Sequence, residues 1–135
     1  MNFETIINWL ENKVNYCLSE LSQRLGVDWI VEQGTSGIWT YEKWNSGKAV
    51  CWGVETSSST ASTEGGLFFR SVGSTFPTSL FIDVPVVEVT VKGNWIGGAM
   101  TGNSITKDRW QGYIWCATDH TANLLPHIYA IGRWK

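Results

Sequence analysis

The feature that most constrains this chain is an apolar stripe near its start. Phe3, Ile7, Leu10, Val14, Cys17 and Leu21 are separated by 4, 3, 4, 3 and 4 residues, with no Pro or Gly before Gly26. This spacing keeps one face of an α-helix apolar for three heptads, the pattern of a coiled-coil seam. Arg24 near the end suits the negative pole of the helix dipole, and Gly26 is a natural stop. A solitary helix of this size is marginal in water, so the stripe requires a cover. Ile6, Leu18 and Leu25 widen it beyond a two-position seam, which favours three helices over two. The expectation is a homotrimeric coil over residues 1–26. The competing expectation is an amphipathic helix packed on its own chain.

From residue 27 to 135 the signals are those of strands. Aromatic and β-branched runs recur at 28–33, 37–45, 48–55, 66–72, 79–84, 86–92, 95–101, 111–118 and 126–134, separated by Gly, Ser, Asn and Pro. Val87, Val89 and Val91 alternate with Glu88, Thr90 and Lys92, as in a half-buried antiparallel strand. The runs around Val50, Trp52 and Val54 and around Tyr113, Ile114 and Trp115 are apolar on both faces. Such strands suit two packed sheets, with a neighbouring subunit over an outer face. The fold class is therefore mainly β: a coiled-coil helix followed by an antiparallel β-sandwich or jelly-roll-like head, assembled as a homotrimer. Segment 57–66 is so rich in Ser, Thr and Gly that it reads as a mobile loop.

Composition narrows the function. No apolar run approaches the length of a membrane span, and the polar residues scattered through the N-terminus do not fit a secretory signal. With 10 basic and 12 acidic residues, and the basic ones dispersed, no footprint for nucleic acid is present. Cys17, Cys51 and Cys116 leave at least one thiol unpaired and form no close-spaced metal pattern, which points to a reducing compartment of synthesis. His120 next to Asp119 lacks any catalytic motif around it, and His127 reads as a structural residue of an edge strand. The dispersed carboxylates show no pairing for glycoside hydrolysis. Gly65 with Gly66, and Gly97 with Gly98, lack the following helix of a phosphate loop. The expectation is a non-enzymatic protein with no catalytic residue, no metal and no cofactor.

Nine tryptophans stand out in 135 residues. Trp39, Trp44, Trp52 and Trp115 lie inside apolar strand runs and are expected in the core. Trp95 and Trp110 sit among turn residues, where a ring can stack on a sugar while polar neighbours take its hydroxyls. The candidate ligand site is accordingly Trp95, Trp110, Asn94, Asp108, Arg109, Asp119 and His120.

The run from Ile30 to Gly53, IVEQGTSGIWTYEKWNSGKAVCWG, together with the ending Ala130, Ile131, Gly132, Arg133, Trp134 and Lys135, resembles fibre and tail-appendage proteins of phages and prophages of Gram-positive gut bacteria. The resemblance covers about 30 residues, near the two ends of the β region. It implies a trimeric virion fibre, tail or head, with a three-helix stem and a terminal knob, assembled in the host cytoplasm. The knob's partners would be a host cell-surface glycan and other virion proteins. No binding residue carries over, because the matching segments look structural. The chain is shorter than a full fibre, which implies a small subunit or the distal part of a longer one. The alternatives are a monomeric carbohydrate-binding module or lectin and a purely structural decoration or trimerisation domain.

Overall fold

The computed structural model describes residues 2–56 and 61–135. Helix α1 spans Phe3–Leu25, roughly 35 Å of rod. The Asn2 carboxamide oxygen caps it, accepting from the Thr5 amide at 2.8 Å and the Thr5 hydroxyl at 2.7 Å. Gly26 ends it with φ of +65°, a conformation that residues with a Cβ rarely adopt. Among the described residues, the helix makes no extended contact with any strand. All six predicted seam residues are exposed, from Ile7 at 37% to Phe3 at 79%, and Cys17 is an exposed free thiol. The expectation of a helix packed on its own head is therefore not met.

The described residues after the helix form nine strands: β1 Ile30–Ser36, β2 Trp39–Trp44, β3 Lys48–Val54, β4 Ser62–Glu64, β5 Leu67–Thr75, β6 Val86–Lys92, β7 Gly97–Thr101, β8 Arg109–Cys116 and β9 Leu125–Arg133. They make two antiparallel sheets, ordered β1-β2-β3-β9-β6 and β4-β5-β8-β7. The predicted sandwich is present, with most strand ends within three residues of expectation. Alternation sets the faces: Trp110, Gly112, Ile114 and Cys116 of β8 are buried, whereas Gln111, Tyr113 and Trp115 are half-exposed on the other side.

Three expectations about strands and loops need correction. Segment 79–84 is not a strand. Pro77 and Pro85 bracket it, Ser79 has φ of +57°, and Leu80 and Phe81 turn inward to close the core, where Phe81 lies against Gly132. Segment 57–66 is only partly loop: residues 57–60 lie outside the described residues, but Ser62–Glu64 pair with Leu67–Phe69 across a hairpin turn in which Gly65 and Gly66 both have positive φ. His127 is not on an edge, because β9 runs between β3 and β6.

The core joins Trp39, Val72, Phe76, Phe81, Trp110, Ile114, Leu124 and Ile128 with the small residues Ala49, Cys51, Cys116 and Ala130. Phe76 stacks at a tilt on Trp39 (5.3 Å between centroids) and edge-on to Phe81 (5.1 Å). Burial pushes the Cys51 thiol up to about 12, so it stays a neutral packing group.

The two segments that carry the resemblance come together at the helix end of the larger sheet. There β3 pairs with β9, with Lys48 opposite Arg133. The indole N–H of Trp134 donates to the Trp44 carbonyl at 2.8 Å, its amide donates to the Gly47 carbonyl at 2.9 Å, and the Lys48 ammonium sits 3.8 Å over the Trp44 ring. The Asp28 carboxylate binds the turn through the Ser46 amide at 2.9 Å and the Ser46 hydroxyl. Burial alone would raise the Asp28 pKa, but these hydrogen bonds, that of the Trp29 amide and the Lys48 charge lower it overall.

Candidate functional site

Register defines two ends of the larger sheet. Ile30, Trp44, Lys48 and Arg133 lie at the end that receives the helix, and Ser36, Trp39, Val54, Leu125 and Lys92 lie at the opposite end. Beyond Lys92 the chain enters the loop of Asn94 and Trp95. Before Leu125 it makes a 3-10 turn, Thr121–Asn123, preceded by Asp119 and His120. Both loops therefore project from the end away from the helix.

These loops meet in a built contact. The Trp95 indole stacks on the His120 imidazole, with centroids 3.6 Å apart and planes inclined by 16°. The Ile96 carbonyl accepts from the Cys116 thiol at 3.2 Å and from the Ala117 amide at 3.4 Å, tying one loop to the base of the other. The His120 carbonyl accepts from the Asn123 amide at 2.9 Å. Below it, the fully buried Thr121 hydroxyl accepts from Arg70 Nε at 2.7 Å, which anchors the turn to β5. Trp95 keeps 46% of its surface exposed, with Asn94 and Asp119 exposed beside it. The result is a fixed aromatic ledge with an amide and a carboxylate in water, the composition that stacks and hydrogen-bonds a polar ring.

The rest of the predicted set falls elsewhere. Trp110 is fully buried, and its indole N–H donates to the Ser74 hydroxyl at 3.0 Å, so it is a core residue. Asp108 and Arg109 lie at the opposite end of β8 from Cys116, roughly 23 Å along the strand. There the Asp108 carbonyl accepts from Phe76, and the amides of Asp108 and Arg109 turn on the Thr106 hydroxyl, a structural corner. Asn94, Trp95, Asp119 and His120 are thus brought together, while Trp110, Asp108 and Arg109 are not.

A second surface was missed from sequence. The outer face of the smaller sheet holds an apolar groove of about 750 Å³ lined by Glu64, Leu67, Phe69, Met100, Tyr113 and Trp115. Phe69 and Tyr113 meet edge to face at 6.0 Å between centroids. Trp115, expected in the core, faces this groove instead. Its two-sided apolar strand was the available signal, but the groove needs side chains from four strands. Trp52 also departs from expectation: it lies on the outer face of the larger sheet, opposite Tyr129.

Among the described residues, no group of three or more His, Cys, Asp or Glu is placed to hold a metal ion. Among the described residues, no helix is long and apolar enough to cross a membrane. No protein-family model and no curated protein matches the sequence. Among solved structures, an N-truncated R1-type pyocin tail fibre is similar to this chain over 84% of it and 94% of the fibre chain, with a TM-score of 0.55 at 17% sequence identity. Helix, paired sheets and this likeness together establish a tail-fibre-like fold.

Proposed function

We propose that this chain is the head and adjoining stem of a homotrimeric, non-enzymatic virion fibre that attaches to a glycan of the host surface. The observation that carries the reading is the uncovered helix stripe: Phe3, Ile7, Leu10, Val14, Cys17 and Leu21 face water in the single chain. Burying them against two copies removes that exposure and gathers three heads at one tip. The tail-fibre-like fold supports the same assignment. The ledge of Trp95, His120, Asn94 and Asp119 lies at the end away from the stem, where an attachment surface belongs. Three weak sites held rigidly together strengthen attachment by roughly 100-fold or more over one.

Light scattering on the full chain tests the assembly, with an expected mass three times the 15.1 kDa chain mass. A monomer at micromolar concentration overturns it. Sedimentation with purified cell-wall polysaccharides tests attachment. Binding that falls about tenfold in Trp95→Ala, with mass unchanged, supports the ledge. Binding indifferent to that substitution removes it.

A further inference from the structure

The groove on the outer face of the smaller sheet has a chemistry unlike the ledge. Its floor is the Trp115 indole, which lies across Gly98 of the neighbouring strand: a Cβ at Gly98 would stand 2.8 Å from two ring carbons and 2.9 Å from the ring nitrogen. Glycine at 98 lets the ring lie down on the sheet. Phe69 and Tyr113, inclined at 73° to each other, give two further aromatic surfaces, and Leu67 and Met100 fill the flanks. Glu64 is the one charged residue in the lining, carried there by the Gly65–Gly66 turn. No Lys, Arg or His lines it among the described residues.

We propose that this groove binds an organic ammonium group, the cation resting on the Trp115, Tyr113 and Phe69 rings with Glu64 as its counter-charge. Ring faces carry negative potential and attract a cation, most strongly one that sheds water cheaply, such as a quaternary or alkyl ammonium. The volume lies within the range of small-ligand sites. Charge complementarity selects this occupant over the others. A neutral polyol would find one carboxylate, one phenol and one indole N–H for its many hydroxyls and leave most of them without a protein partner. A second copy's apolar surface laid over the groove would bury the Glu64 charge without a partner.

The proposal is independent of the glycan ledge. Choline chloride titrated into the full chain, followed by tryptophan fluorescence, is compared with 3,3-dimethylbutan-1-ol, which has the same shape without the charge. Choline is expected to saturate the signal about tenfold more tightly than the neutral analogue. Glu64→Gln, an exposed substitution that leaves the fold intact, brings choline towards the affinity of the analogue, and Gly98→Ala weakens both by lifting the floor. Trp95→Ala leaves the choline titration unchanged. Equal affinity for the two probes, no saturation with choline, or indifference to Glu64→Gln overturns the proposal. Choline binding that appears only after Leu10→Asp separates the chains overturns it as well, by showing that the groove is closed between copies.

Discussion

Indole rings in this chain take different roles according to which side of a strand they leave. Trp39 and Trp110 are core residues, and each satisfies its N–H on a strand 36 residues distant in sequence: Trp39 donates to the Thr75 carbonyl at 2.7 Å and Trp110 to the Ser74 hydroxyl. Trp110→Ala is expected to lower stability by about 3–5 kcal/mol in denaturant titration, because it opens a cavity and removes the hydrogen bond to the Ser74 hydroxyl. Trp110 and Trp95 look alike in sequence, each set among turn residues. A strand begun at 111 leaves Trp110 in the preceding loop, whereas β8 begins at Arg109 and its alternation carries Trp110 inward with Ile114 and Cys116. At Glu32, the Lys43 ammonium donating at 2.9 Å lowers the carboxyl pKa below its ordinary value of 4.5; burial opposes this and the Tyr41 hydroxyl at 3.1 Å assists it. The folded pKa being depressed, this contribution is complete above pH 4.5 and disappears as pH falls through the folded value. Because Glu32 is half-exposed, it amounts to about 0.5 kcal/mol. Thermal melts of Glu32→Gln between pH 3 and 7 are expected to show a shallower acid loss than the parent; identical slopes would discount the pair.

Among the elements, the helix was the most legible from sequence and the loop 76–85 the least. A 3-4 spacing is a local property, and the Asn2 cap and Gly26 stop lie within a turn of the residues they terminate. Leu80 and Phe81 read as strand because they are apolar and close to β-branched neighbours, yet Pro77, Ser79 and Pro85 shape a plug whose burial depends on Gly132 of another strand. Two expectations belong to the helix. Leu10→Asp places an unpaired charge in the proposed seam and should reduce the scattering mass to that of one chain. Cys17, at the same heptad position as Phe3 and Leu10, should yield disulfide-linked pairs on mild oxidation, with the third chain of each trimer left unlinked on a non-reducing gel. Absence of a cross-linked pair at micromolar concentration argues against a seam with Cys17 at its centre.

At the scale of the whole molecule, the helix and the paired sheets pack separately: among the described residues the helix contributes nothing to the core cluster, and the two sheets close their core without it. Removal of residues 1–25 is therefore expected to leave a folded monomeric head with an unchanged melting transition. Its choline titration should match the full chain, while its attachment to multivalent cell-wall polymer falls roughly 100-fold. A head that fails to fold without the helix contradicts this separation. The sequence by itself determined the helix, its stripe and ends, most of the strands and the two-layer class, because these follow from periodicities of 3.6 and 2 residues read over short windows. Only the tertiary structure decided that Trp95 meets His120, that Trp110 is buried, and that Leu67, Phe69, Met100, Tyr113 and Trp115 share one groove. Such neighbourhoods depend on which strands pair and in what register, and that is settled by the joint packing of the whole core rather than by any single segment.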